Sequence, residues 1–239
     1  MARANSKAFT FNGKSSADYG IRIVNVYIPS IAEERGSIEK PIGRNGDLWM
    51  SEGCYNPITM KLTLRAPKSK RNAIGGWLTG SGKLSFSGDP GFEYSARVSK
   101  QTDFSQFTND SDPMTEFVVN FTCYPVRYVS PALPAQSFSS SPATINNPGT
   151  VFSQPEIKIA CTGAFTLVVN GYQIDGKAGA SGGVIVDCEL NECFNLNKTE
   201  LRNTVITLDE FPRLAPGVNA ITWTGAITSV EITPRWRYL

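Results

Sequence analysis

Carboxylate pairs are the residues of this sequence whose types and spacing come nearest to a catalytic arrangement. Glycoside cleavage needs two carboxyl groups that flank one bond, the first as acid and the second as base or nucleophile. Neighbours in sequence alternate between the two faces of a strand. We therefore expect no catalytic pair among the short-range acidic groups, which are Glu33 with Glu34, Asp187 with Glu189, and Asp209 with Glu210.

Histidine is absent from the chain. Its absence excludes Ser-His-Asp and Cys-His catalysis, and it removes the commonest protein ligand for zinc, copper and non-haem iron. Chemistry based on carboxylates, lysine or tyrosine stays open. We expect a protein that is not an enzyme and that holds no metal and no cofactor.

Five cysteines occur with irregular spacing and without a CxxC pair. This pattern is typical of reduced thiols, most of them buried as small core residues. The amino terminus lacks the apolar run of a signal peptide, and no stretch approaches the ~18 apolar residues of a membrane span. We therefore expect synthesis and folding in a cytoplasm, without a membrane partner. The cysteines are Cys54, Cys123, Cys161, Cys188 and Cys193.

The charge is nearly balanced, with 23 basic and 21 acidic residues. Proteins that bind nucleic acid depend on an excess of Lys and Arg that neutralises phosphates. We therefore expect no specific nucleic-acid partner.

The elements that would position these residues are mainly strands. Residues 58–66 and 116–123 alternate apolar and polar side chains, as in strands with one dry and one wet face. One helix is expected over about 67–79, with Pro67 in its first turn and Trp77 as its anchor in the core. Further strands are expected at 21–27, 84–87, 94–99, 155–161, 164–170, 183–188, 203–208, 219–224 and 227–233.

Two segments do not follow the strand pattern. Residues 131–142 are rich in proline and serine and carry no charge, which is typical of a linker between domains. Residues 29–57 are polar and have no sustained period, and so long a segment within a domain is often functional. We interpret 29–57 as an extended arm that packs on another subunit, and the alternative is a flexible surface loop.

The order of several short motifs resembles the distal tail proteins (the Dit family) of siphophages and prophages of Gram-positive bacteria. In the first half these motifs are residues 9–21 (FTFNGKSSADYGI), 43–48 (GRNGDL, where the family usually has Asp at Asn45), Trp77-Leu78 followed by 84–90, and 121–125 (FTCYP). In the second half they are 147–150 (NPGT), 155–159 (PEIKI), 216–223 (PGVNAITW) and 232–237 (ITPRWR).

The resemblance implies a mainly β protein with two domains. Residues 1–130 correspond to a β-sandwich-type belt domain with one helix and the arm at about 29–57. Residues 143–239 correspond to a galectin-like antiparallel β-sandwich, whose last strand at about 232–239 is a candidate to return to the belt domain. Some family members carry an inserted carbohydrate-binding module, and this sequence is too short to contain one between its two domains.

The resemblance also implies a structural role at the distal end of a virion tail. Belt domains of the family form a homohexameric ring, single or as two stacked rings. The ring joins the tail tube protein to tail-tip, baseplate and receptor-binding proteins. We expect Arg44, Asp47 and Trp49 of the arm to contact the neighbouring subunit; the alternatives are a local turn pair for Arg44 with Asp47 and a core position for Trp49.

Two further expectations concern the second half. Arg235, Trp236 and Arg237 form either a docking strand, which returns to the belt domain or contacts a tail partner, or an edge strand with Trp236 buried and both arginines solvated. A second functional hypothesis is a carbohydrate-binding module that adheres to the host cell wall, with Trp223 as its aromatic platform. Trp223 lies two residues after Ile221, on the same face of the predicted strand, and this face is expected to point to the core. Galectin sugar sites also rely on histidine, which this chain lacks, so the sequence favours this hypothesis less than the structural role.

Overall fold

Strands with alternating buried and exposed residues make up most of the described residues, which contain one α-helix, and the mainly β fold is confirmed. The computed structural model describes residues 8–27, 31–103 and 113–239. The chain divides into a first unit that ends at Arg127 and includes Leu239, and a second unit, Tyr128–Tyr238.

The first unit is built on one curled sheet with strand order β2-β1-β7-β8-β9-β6-β3, and β4 pairs only with β5. The strands are β1 (Phe9–Phe11), β2 (Lys14–Ser15), β3 (Arg22–Tyr27), β4 (Glu34–Glu39), β5 (Leu48–Tyr55), β6 (Ile58–Pro67), β7 (Ser81–Phe86), β8 (Phe92–Asp103) and β9 (Met114–Val129). The helix α1 spans Arg71–Trp77, and short 3₁₀ helices span Ser16–Tyr19 and Lys68–Lys70.

The core of this unit follows the predicted alternation. Strand β6 lies antiparallel between β3 and β9, and its side chains Met60, Leu62 and Leu64 are fully buried. Phe117 and Phe121 of β9 face the same core. The predictions for 58–66 and 116–123 are therefore confirmed.

Trp77 anchors α1 in this core, as predicted. Its ring stacks on Tyr19 at 4.6 Å and on Phe9 at 5.4 Å, and its Nε1 donates a hydrogen bond to the Phe11 carbonyl at 2.9 Å. The predicted position of Pro67 is wrong. Pro67 has ψ of 131°, so it ends the extended strand β6, and α1 begins only at Arg71.

The second unit is a sheet in which two long strands, β12 and β17, pair from Glu156 with Thr233 to Val169 with Ile221. The strands of this sheet are β10 (Gln136–Phe138), β11 (Ala143–Asn147), β12 (Glu156–Val169), β13 (Tyr172–Gly176), β14 (Val184–Asp187), β15 (Glu192–Phe194), β16 (Ile206–Thr207) and β17 (Gly217–Thr233). The short strand β18 (Arg237–Tyr238) is not part of it and pairs with β9. Short 3₁₀ helices span Ala178–Ala180 and Asn203–Val205.

Irregular register divides β12 and β17 into two halves. The shifts lie between Ala160 and Phe165, where pairing with β17 slips. On one side of them β14 and β10 extend the sheet, and on the other side β13 and β11 do so. Inward residues of both halves, such as Ile159 and Leu167, belong to one buried cluster. The unit is thus an antiparallel sandwich made by bending a single sheet.

Residues 131–142, expected as a linker, contain the three-residue strand β10, which pairs with β17. Pro134 precedes this strand and Pro142 follows it. Proline cannot donate to a ladder, so the strand stays short and lies at the edge of the sheet.

Candidate functional site

The arm predicted at 29–57 contains a β-hairpin formed by β4 and β5. Its base is fixed to the first unit, because Ala32 is buried in the core and Tyr55 packs against it. At the base, the Asn56 N–H donates to the Glu33 carbonyl at 2.8 Å. Beyond the base, the two strands pair only with each other among the residues that the structure describes.

Apolar side chains of the hairpin are exposed. Ile38 and Trp49 lie directly opposite each other across the two strands, with exposed fractions of 57% and 47%. The Trp49 ring covers Gly36, where a Cβ would lie 2.6 Å from a ring atom. Ile42 and Met50 are exposed as well. An isolated two-stranded hairpin is marginally stable in water, and clustered exposed apolar residues mark interaction surfaces. The hairpin is therefore a candidate contact surface.

All residues of the hairpin tip, 41–47, are exposed. The Arg44 N–H donates to the Pro41 carbonyl, and Gly43 and Gly46 have φ of 83° and 84°, which forms the turn. Within the described residues neither Arg44 nor Asp47 forms an ion pair. Their side chains are thus accessible to a partner.

Arg235 lies at the centre of a cluster of ionised side chains in the second unit. Its guanidinium binds Asp187 through two hydrogen bonds, at 2.7 and 2.8 Å, and reaches Glu156 at 2.9 Å and Glu189 at 3.3 Å. Lys198 binds the same Glu156 oxygen at 2.8 Å. The fork geometry of guanidinium suits this bidentate contact.

Asp187 is the buried member of this cluster, with a side chain only 3% exposed. Burial raises its pKa, but hydrogen bonds from Arg235, Leu190 and Glu189 and the charge of Arg235 outweigh burial, so the pKa lies below its usual value. The hydrogen bond to Asp187 raises the pKa of Arg235. A general acid needs a raised pKa, so this arrangement stabilises the fold and does not suit acid catalysis.

The other two residues of the 235–237 motif are also held within the second unit. Trp236 is buried, as the edge-strand interpretation predicted. The expectation of solvated arginines is wrong, because Arg237 is 5% exposed and donates to the Phe152 carbonyl and to Gln154. Its guanidinium also lies 4.7 Å from the centre of the Phe152 ring.

The Arg235 and Arg237 partners were not found from the sequence. Along the chain they lie from 46 residues (Glu189 to Arg235) to 85 residues (Phe152 to Arg237) away, and no short-range pattern signals such contacts. The one sequence signal for a buried ion pair was Asp187, a carboxylate in the otherwise apolar strand 184–187.

Candidate sites of other classes receive no support from the geometry. Trp223 is partly buried and packs against the core of the second unit. Among the described residues, no group of three or more Cys, Asp or Glu side chains could hold a metal ion. In the same part of the chain no helix has the length and apolar character to cross a membrane.

Comparison of the fold with solved structures is informative where sequence comparison is not. No known family model matches the chain, and no curated protein matches its sequence. The crystal structure of the Dit (gp 19.1) protein of phage SPP1 superposes on it with a TM-score of 0.75, covering 98% of this chain and 99% of that one. The chain has the Dit fold.

The Dit fold extends over both units, since neither chain leaves more than a few residues unmatched. Sequence identity across the match is 14%, so the likeness lies in the architecture and not in shared side chains. The SPP1 protein is described as a paradigm of the hub adsorption apparatus in phages that infect Gram-positive bacteria.

Proposed function

We propose that this protein is a structural subunit of a phage tail, a distal tail hub that forms a hexameric ring between the tail tube and the tail-tip or baseplate proteins. The observation that carries the proposal is the Dit fold over the whole chain, shared with a hub adsorption protein. The function is architectural, not enzymatic. Its partners are copies of itself, the tail tube protein, and tail-tip or receptor-binding proteins at the distal end of the virion tail.

A closed ring needs a heterologous contact, in which one surface of each subunit meets a different surface of the next. The β4–β5 hairpin is suited to one side of this contact. It presents Ile38 and Trp49 on one face and Arg44 and Asp47 at its tip, all exposed in the single chain. Burial of such apolar residues against a neighbour contributes about 25 cal/mol per Å².

The proposal is tested by measuring the mass of the full chain with light scattering over a range of concentrations. One chain is 26.0 kDa, so a hexamer has a mass of about 156 kDa and two stacked rings about twice that. Electron microscopy of the same sample should show rings with a central opening. A strictly monomeric protein at every concentration, with no rings in the images, would contradict the proposal.

The role of the hairpin is tested separately with the double variant Ile38→Ser, Trp49→Ser. We expect loss of the ring mass with little change in the urea midpoint, because both side chains are exposed in the single chain. Val218→Ser is the matched control, since Val218 is an exposed apolar strand residue of the second unit. Persistence of rings in the double variant would mean that another surface closes the ring.

A deletion should remove the whole hairpin. Deletion of 30–47 alone would take away β4 and leave β5 without its pairing partner. The variant to test therefore replaces 34–55 by a short glycine-serine turn, which removes both strands together. The shortened chain should fold and remain monomeric.

A further inference from the structure

Three Asn-Gly pairs occur in the chain, at 12–13, 45–46 and 170–171. In such pairs the backbone nitrogen of the glycine can attack the Cγ carbon of the asparagine side chain. A C–N bond forms, the side-chain nitrogen leaves as ammonia, and the product is a cyclic succinimide. Water then opens the ring to aspartate or isoaspartate. Glycine favours the attack because it has no Cβ to obstruct it, and asparagine is a thermolabile residue for this reason.

The side chain of Asn12 is held by the fold. Its Nδ2 donates to the Ser81 carbonyl, and its Oδ1 accepts from the Lys83 N–H, both at 3.2 Å. Asn12 has φ of 49° in the turn between β1 and β2. The amide plane is thereby fixed at both of its polar atoms, which opposes rotation of Cγ toward the Gly13 nitrogen.

The side chain of Asn170 is held in a similar way. Its Nδ2 donates to the Arg213 carbonyl at 3.2 Å, and its backbone N–H donates to the Ala220 carbonyl at 2.8 Å. It has φ of 51° and turns β12 into β13. These hydrogen bonds therefore also hold the Asn170 side chain in place within the second unit.

Asn45 differs from both. It is exposed at the tip of the hairpin, and within the described residues its side chain has no hydrogen-bond partner. Gly46 is open as well, since a Cβ added there would meet no atom within 4 Å. Neither packing nor a hydrogen bond holds the Asn45 amide away from the Gly46 nitrogen.

We propose that Asn45 is a site of spontaneous deamidation, faster in the folded chain than Asn12 and Asn170. The product carries a new negative charge between Arg44 and Asp47. Isoaspartate also inserts one methylene into the backbone of the tip. The tip therefore changes both its charge and its geometry as the unassembled chain ages.

The test is incubation of the purified full chain at 37 °C and mildly alkaline pH, followed by peptide mapping with mass spectrometry. Cleavage after Glu39 and Glu52 isolates residues 40–52, in which deamidation adds about 1 Da. We expect Asn45 to convert at least about tenfold faster than Asn12 and Asn170. At those two sites the side-chain hydrogen bonds of the folded state must break before deamidation can occur. Equal or slower conversion of Asn45 would overturn the proposal.

The same incubation in concentrated urea tests the structural reason. There the three rates should converge, since no site retains its native contacts. If the native ranking persisted in urea, local sequence and not the fold would set the rates, and the proposal would be overturned. Asn45→Gln, which forms the cyclic product far more slowly, should abolish the mass change in 40–52.

A consequence for assembly rests on the proposed function. Aged wild-type chain should lose ring mass in light scattering, whereas Asn45→Gln aged in parallel should keep it. If both keep the ring mass after conversion of Asn45, the consequence for assembly is overturned while the chemistry stands. Failure of fresh protein to form rings would instead count against the proposed function itself.

Discussion

At the scale of single residues, the contact between Arg235 and the buried Asp187 has a large energetic consequence. Asp187 is buried, and removal of its partner leaves an uncompensated charge, which costs about 3 kcal/mol or more. We expect Arg235→Met to lower the free energy of unfolding by about that amount in urea denaturation followed by circular dichroism. Lys158→Met is the matched control, because the Lys158–Glu231 pair is more than a third exposed and should contribute less than about 1 kcal/mol. Similar losses in the two variants would contradict this assignment.

The same carboxyl group predicts an acid dependence. The pKa of Asp187 is lowered in the folded state, so the folded chain binds this proton more weakly than the unfolded chain. Its contribution to stability is therefore complete above the unfolded pKa of about 4 and is lost as the pH falls through the folded pKa. Urea midpoints of wild type should decrease steeply below about pH 4, and Asp187→Asn should show a shallower decrease, by up to about one proton. Parallel slopes would contradict the prediction.

At the scale of elements, α1 contains two glycines that local packing does not require. A Cβ at Gly76 would meet no atom within 4 Å, and the residue lies in regular helix. Gly76→Ala should raise the free energy of unfolding by about 0.5–1 kcal/mol in chemical denaturation. Gly80→Ala is the control with the opposite sign, because Gly80 follows the helix with φ of 74°, where a side chain is strained. A loss of stability in Gly76→Ala would contradict this prediction.

The elements also show how far the sequence determines the fold. The period-two pattern was sufficient for β6 and β9, because each has one dry and one wet face. The same pattern predicted two strands in place of β12, with a break at Thr162-Gly163, and two in place of β17, with a break near Gly225. These interruptions are a bulge and a bend, since Gly225 approaches Ala164 too closely for a side chain. A bulge and a turn break the alternation in the same way, so the pattern alone cannot distinguish them.

The hairpin was not predictable as β4 and β5 for a related reason. Both of its faces are exposed, so no alternation between apolar and polar residues separates an inner from an outer face. Ile38 lies opposite Trp49 in its register, on a face that is exposed in the single chain. The length and polarity of 29–57 predicted an arm, but the strands within it could be identified only from the structure.

At the scale of the whole molecule, each unit has its own buried core. We expect residues 128–238, expressed alone, to fold with a cooperative urea transition and a β-rich circular dichroism spectrum. Their core holds Ile157, Ile159, Leu167 and Val230, all fully buried within the unit. A broad, non-cooperative transition would show that this unit depends on the rest of the chain, and the boundary at residue 127 would then not be a domain boundary.

The distribution of thiols makes one position of the arm chemically distinct. Burial raises the pKa of Cys123 to about 12 and of Cys193 to about 11, and it also raises the pKa of Cys161 and Cys188. Cys54, in β5, is the half-buried fifth thiol. Since the thiolate is the reactive form, a maleimide dye at neutral pH should attach once, at Cys54. The native chain thus carries a built-in labelling position on its arm, whose fluorescence would follow the arm's surroundings without any engineered cysteine.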